Sequence, residues 1–248
     1  MMNFIFAISA SLIVSIISLI GIFSLIIKEN ILQKILFGLV GFSAGALIGG
    51  AFLHILPEVL TESKSTAAVF YFVIAGIVLF FLMERYFYWR HCHEGVCDVH
   101  TFTYLNLIGD GLHNFIDGMV IAASFVVSVR LGIITTLAVI FHEIPQELGD
   151  FAVLVYGGFS KKKALFYNYV SAFMAVVGAI LGFVLSDISR GFSNFILPLT
   201  AGGFIYVASS DLIPEIHKES NRRRSGLAML SFLAGIVFMA LFKILLHE

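Results

Sequence analysis

The sequence predicts an all-α polytopic membrane protein of eight transmembrane helices, in which helices one to three and six to eight form an inverted repeat around helices four and five. Three observations predict it. Hydrophobic residues make up 59% of the 248 residues and charged residues 12%, against about 45–50% and about 25% in soluble domains. Apolar runs of bilayer-spanning length recur along the chain, and a segment near its start reappears near its end. Mean hydropathy is +0.99, and 26 Phe with only 4 Pro suit lipid-facing helices rather than loops. A net charge of -1 offers nucleic acid no attractive field, and two cysteines cannot build a disulfide framework.

A spanning helix needs about 20 apolar residues. Eight runs meet that length: Phe4–Ile27, Lys34–Leu60, Ala67–Phe87, Phe102–Val129, Leu131–Phe159, Ala164–Leu185, Phe192–Ile216 and Gly226–Leu246. The connections are short, so residues 1–248 read as a single transmembrane domain. None of the runs alternates as the roughly ten-residue strands of a membrane barrel do, and a helix satisfies its own backbone in lipid. The first run has no basic residue in Met1–Asn3 and no A-x-A site after it, so it reads as a retained helix rather than a cleaved signal.

Lysine and arginine orient the helices. Connections after helices one, three, five and seven carry Lys28, Lys34, Arg85, Arg90, Lys161, Lys162, Lys163, Lys218, Arg222, Arg223 and Arg224. The opposite side has only Lys64, Arg130, Arg190 and Lys243. Both termini are therefore expected outside an integral membrane protein of the cell (inner) membrane.

Helix two contains SAGALIGGAFLHILPE from Ser43, and helix seven contains TAGGFIYVASSDLIPE from Thr200, at a constant offset of 157 residues. The two helices run in opposite directions, as in the inverted repeats of transporters; the alternative is that Pro-Glu simply ends two membrane helices. Gly41, Gly45 and Gly49 on helix two, and Gly178 and Gly182 on helix six, form small-residue stripes. Such stripes permit close helix contact within the chain or between copies.

Helices four and five carry the unusual chemistry. In NLIGDGLHNFIDG, residues Asp110, His113, Asn114 and Asp117 share one helical face about 100° wide. In FHEIPQELGD, His142, Glu143, Gln146, Glu147 and Asp150 spread over about 140°. Both clusters lie near mid-helix, where each charge costs about 2.5–3.5 kcal/mol. Five carboxylates there face no Lys or Arg on the same polar stretches, and a cation is the economical balance. Carboxylate, imidazole and amide together suit borderline divalent metals such as Zn²⁺, Fe²⁺, Mn²⁺ or Cd²⁺. Pro145 lacks an amide donor and releases the carbonyl of Phe141 from the helix ladder, placing a backbone acceptor near such an ion. The rival reading makes these residues interhelical glue.

This constellation resembles the ZIP (Zrt-, Irt-like) family of divalent metal transporters, most closely its LIV-1 branch. The branch motif HNFxDG is matched by His113, Asn114, Phe115, Asp117 and Gly118. The motif HExPHExGD is matched by His142, Glu143, Pro145, Glu147, Gly149 and Asp150, with Gln146 where the branch has His. Carried over by position, the resemblance implies His113, Asn114, Asp117, His142, Glu143 and Gln146 as metal ligands, with Glu147 a candidate for the charge that Gln146 lacks. It implies alternating-access transport of zinc, and also of iron, manganese or cadmium, into the cytoplasm, by a homodimer that is not an enzyme and holds no cofactor beyond its transported ion. With a neutral Gln146, one metal is expected to bind tightly and any second more weakly.

Further polar residues suit a pathway: His54 and Glu58 at the outer end of helix two, Asp211, Glu215 and His217 at the inner end of helix seven, Asn168 and Ser171 on helix six, and Asp110 and Asp150 beside the ligands. Their alternative is ordinary helix-end polarity and packing. The cytoplasmic loop 90–101 holds His91, Cys92, His93, Cys97 and His100, either a transient metal acceptor or a solvated loop. The principal enzymatic rival is an intramembrane zinc protease built on H-E-x-x-H, but the second His position is Gln146 and Pro145 interrupts the face.

Overall fold

The computed structural model describes residues 2–25, 29–89, 99–156, 158–188, 190–218 and 221–245. Helices account for nearly all of them, and no strand occurs among the described residues. α1 (Met2–Ile17) continues into a 3-10 segment, Ser18–Leu25. α2 (Glu29–Gly49) passes through a π segment, Gly50–Ile55, into α3 (Leu56–Glu62). α4 (Thr66–Trp89), α5 (Val99–Val127) and α6 (Val129–Tyr156) follow. α7 (Lys161–Ala172) and α8 (Met174–Ile188) form one rod broken at Phe173. α9 (Arg190–Tyr206) runs through a second π segment, Val207–Leu212, into α10 (Ile213–Lys218), and α11 (Arg222–Leu245) ends the described chain.

Six stretches are long and apolar enough to cross a membrane: Met2–Ile22, Phe37–Thr61, Thr66–Arg85, Lys161–Ser186, Gly191–Lys218 and Arg224–Leu245. That is an all-α integral membrane protein. α5 and α6 are long enough, at 29 and 28 residues, but do not count among the six, because the polar residues of their central stretches dilute the apolar content. Burial separates the helices by place. Only 17% of the Arg224–Leu245 window and 22% of the Thr66–Arg85 window are buried, against 67% for Phe37–Thr61; α4 and α11 therefore lie at the periphery and α2 inside. Leu230, Leu233 and Val237 on α11 and Phe70, Ile74 and Phe81 on α4 are exposed, as lipid-facing side chains would be.

Glycine decides which helices touch. A Cβ on Gly45 would lie 2.0 Å from the carbonyl oxygen of Phe232, and one on Gly235 would lie 2.2 Å from that of Phe42, so α2 and α11 meet backbone to backbone. α5 and α8 do the same through Gly118 and Gly178, and α4 and α9 through Gly76 and Gly202. Gly41, Gly49 and Gly182 also press against other helices of the same chain. The stripes thus serve packing within the protomer. Close contact of small residues is how helices associate where no hydrophobic force separates protein from solvent.

Pro145 sits inside α6 without ending it. The Phe141 carbonyl it releases accepts a short hydrogen bond from the Ser43 hydroxyl of α2. The sequence reading placed this carbonyl beside an ion; instead the neighbouring helix takes it up, because a buried acceptor left open is costly. Between α6 and α7 the chain turns at Gly158, whose φ of 89° is a left-handed conformation that glycine adopts without steric cost.

Candidate metal centre

α5 and α6 lie side by side, and their polar faces meet. His113 and Asp117, one turn apart on α5, face His142 and Glu143 on α6. His113 Nε2 is 3.2 Å from His142 Nε2, 3.6 Å from Asp117 Oδ2 and 3.4 Å from Glu143 Oε1. His142 Nε2 is 3.2 Å from Asp117 Oδ2 and 3.3 Å from Glu143 Oε1. All four ligand atoms lie within 4.8 Å of one another, and all four residues are buried. A tetrahedral Zn²⁺ with bonds of about 2.0–2.1 Å separates its ligand atoms by about 3.3 Å on the same geometry. Five edges of the cluster match that spacing.

The second nitrogen of His142 sharpens the chemistry. Nδ1 lies 3.1 Å from the carbonyl oxygen of Ala138, an acceptor only, so Nδ1 carries the proton and donates. Nε2 is the ring atom that faces the cluster, and an Nδ1–H anchored to a carbonyl is the arrangement that orients ligating histidines. Asp117 Oδ2 and Glu143 Oε1 are buried and face the two imidazole Nε2 atoms, an acid–imidazole set whose oxygens and nitrogens can converge on one cation.

A second group adjoins the first. Asp110, Glu143 and Glu147 bring three carboxylate oxygens within 4.8 Å of one another, and Glu143 belongs to both groups. Uncharged donors from neighbouring positions fix the other two acids. Ser171 Oγ donates to Asp110 Oδ2 at 2.5 Å, Asn114 Nδ2 to Asp110 Oδ1 at 2.9 Å, and Asn168 Nδ2 to Glu147 Oε2 at 2.5 Å. Helical angles alone turn Glu147 about 100° from Gln146. The length of the Glu side chain, and the Asn168 amide from α7, bring its carboxylate back to Asp110. Gln146 itself lies beside the acids, with Nε2 3.5 Å from Asp110 Oδ1, rather than among the histidines.

The family described as ZIP zinc transporter matches residues 89–243. The chain belongs to the ZIP family. It is 36% identical over 222 residues to "Zinc transporter ZIP13" of Pongo abelii, covering 83% of this chain and 66% of that protein. It is 45% identical over 151 residues to "Zinc transporter SLC39A7" of Mus musculus, covering 58% of this chain and 32% of the relative. With "Zinc transporter YKE4" of Saccharomyces cerevisiae identity is 34% over 208 residues, covering 72% and 60%. This ZIP chain thus spans between about a third and two thirds of the length of these relatives.

Two cavities approach the clusters of this ZIP protein from opposite ends. The larger, 670 Å³, is lined by Asp110, His113, His142, Gln146 and Asp150, and also by Asp211 of the second π segment. The smaller, 200 Å³, is lined by His54, Glu58, Arg130 and Lys243, with Ile134 of α6. His113 and His142 line the larger cavity, whereas the α6 residues lining the smaller one are Leu131 and Ile134, at least two turns away. His54 is buried and its Nε2 lies 2.8 Å from the Met239 carbonyl, distant from the clusters. Asp150 accepts from Asn106 Nδ2 at 2.8 Å. His217 is exposed on α10. His91, Cys92, His93 and Cys97 lie outside the described residues, as do the side chains of His100 and Glu215.

The sequence did not single out Glu84, Tyr206 and Asn106 among the lining residues. Glu84 of α4 accepts from the Tyr206 hydroxyl at 2.5 Å, and both line the larger cavity with Asn106. An acid inside an apolar helix was the available signal for Glu84. Tyr206 and Asn106 carried none, since only the packing shows which way they point.

Proposed function

We propose that this ZIP protein carries zinc across a membrane by alternating access, with His113, Asp117, His142 and Glu143 as the ligands of the transported ion. The observation that carries the reading is the set of near-tetrahedral ligand spacings, buried at the head of the larger cavity. Asp110, Glu147 and Gln146, with the Asn114 amide, hold a second cation more loosely. The larger cavity, with Asp150, Asp211, Glu215 and His217, is the way out; the smaller, with His54 and Glu58, is the way in. Asn168 and Ser171 hold the acids rather than the ion. The loop at 90–101 accepts released metal.

The finer architecture belongs to the same proposal. α5 and α6 span the membrane with the six apolar stretches, giving eight helices in a single domain. The first three and last three spans form an inverted repeat. The π segments Gly50–Ile55 and Val207–Leu212 support it, since they are related by the same offset as Ser43 and Thr200. So does the exchange of partners, α2 with α11 and α4 with α9, in which Gly235 meets Phe42 and Gly76 meets Leu199. Both termini face outside the cell membrane, ions move inward, and two copies associate. A protease reading lacks the second histidine at Gln146.

Zinc uptake into proteoliposomes tests the function. His113→Ala and Glu143→Ala are each expected to abolish saturable uptake while the purified protein still inserts and runs as the folded species. Normal uptake by either variant removes these residues from the transport site.

A further inference from the structure

A groove that the transport reading does not use lies on the membrane-facing side of α5. It has a volume of 590 Å³ and runs between α5 and the α7–α8 rod, lined mainly by Leu107, Leu112, Phe115, Val170 and Met174. Val170 and Leu112 are exposed. Tyr167 forms one end of the lining. Lys163 lies one helical turn before Tyr167: its Nζ lies 4.1 Å from the centre of the Phe159 ring and 5.8 Å from that of Tyr167. Lys163, Tyr167, Val170 and Met174 follow one another at helical spacings of four, three and four, so they form one stripe along the rod. Exposed Lys161 and Lys162 complete the first turn of α7, at the end of the span Lys161–Ser186.

We propose that this stripe binds one anionic phospholipid, with an acyl chain in the groove and its phosphate at Lys161–Lys163. The occupant follows from charge and depth. An apolar channel at bilayer depth, with Lys163 one turn beyond its lining on the same stripe and Lys161 and Lys162 in the same first turn, complements a molecule apolar along its length and negative at its end. Basic residues beside a membrane attract anionic headgroups, and the positive end of the α7 dipole adds to that attraction. A zwitterionic lipid fills the groove equally well but leaves the lysines unbalanced. The groove also backs onto the carboxylate cluster. Ser171 lines it, and donates both to Asp110 Oδ2 and to the Leu107 carbonyl at 3.1 Å. The lipid therefore presses on the rod that carries Ser171 and Asn168. This site rests on the membrane-spanning reading, but not on which ion is carried.

Native mass spectrometry of the full-length chain tests it, in a mild detergent with equal amounts of phosphatidylglycerol and phosphatidylcholine of identical acyl chains. Phosphatidylglycerol is expected to be retained about tenfold over phosphatidylcholine. The triple variant Lys161→Gln, Lys162→Gln, Lys163→Gln should lose that preference yet still retain both lipids equally. Val170→Trp, which fills the groove, should lower retention of both. Glycerol phosphate, a headgroup without chains, should displace neither. Equal retention of the two lipids by the unaltered protein overturns the proposal, as does a preference that survives the triple variant or displacement by glycerol phosphate. Zinc binding measured on the same samples keeps the two readings apart: lipid preference without zinc binding sinks the transport site alone, and zinc binding without lipid preference sinks the lipid site alone.

Discussion

Glu143 is the residue on which both clusters depend, because its carboxylate stands among the histidines and beside Asp110 and Glu147. Glu147→Gln should therefore remove only the second ion: the zinc-to-protein ratio measured by mass spectrometry is expected to fall by one, with the tighter binding step unchanged. Gln146→His works in the other direction. An imidazole is a stronger donor than an amide, so calorimetric zinc affinity should rise by about 10–100-fold, the range through which supporting groups tune metal sites. Uptake should slow, since conduction requires that the ion leave as well as enter. Helical period put His113, Asp117, His142 and Glu143 on two polar faces among nine candidates, and the resemblance to the ZIP motifs narrowed the ligand set to six that include these four. The place of the Glu147 carboxylate was not legible there, although the sequence named that residue as a candidate for the charge Gln146 lacks. A wheel gives the direction of Cβ, whereas the carboxylate sits three bonds further out, where Asn168 of another helix decides its place.

At the scale of the helix, Pro145 and Ser43 form one device. The proline leaves the Phe141 carbonyl without its ladder donor, and the Ser43 hydroxyl supplies a donor from α2. Ser43→Ala should destabilise the protein by about 1–3 kcal/mol, the cost of a buried acceptor left open. Pro145→Ala restores the missing amide, so in the double variant the loss should be smaller than in Ser43→Ala alone. Thermal unfolding of the four forms reads the coupling. Additive losses would mean that Ser43 does not serve the carbonyl that Pro145 frees. The sequence located the defect in α6 but not its remedy, because nothing in the pattern of either helix says which of them will be neighbours. Helix existence was far easier to read than helix continuity. The apolar runs are plain in the composition, while the break at Phe173 and the two π segments leave no change in hydrophobicity.

For the whole molecule, the decisive quantity is direction. Under the proposed orientation, with eleven basic residues on one set of connections against four on the other, the loop at 90–101 faces the cytoplasm. The chain has two cysteines, Cys92 and Cys97, and both fall in that loop, so no engineered reporter is needed. Neither should react with an impermeant thiol reagent in intact cells, and both should react after permeabilisation. Labelling from outside would invert the orientation, and the larger cavity would then be the way in. The larger cavity is also the one that reaches His113 and His142, so in this conformation the site communicates with the side carrying most of the lysine and arginine.

The π segments have a consequence of another kind. A π turn accommodates one residue more than an α-helix of the same rise, and without it every side chain beyond would swing by about 100°. In α2 it lets the glycine seam toward α11 and the ring of His54 each keep the face they need, although an unbroken α-helix would set them out of phase. The same slip recurs between Tyr206 and Ile213, at the matching place in the other half. Under the proposed repeat, two rare defects reduce to one event: a single inserted codon in a half-length ancestor, copied when that ancestor was duplicated and preserved in both descendants.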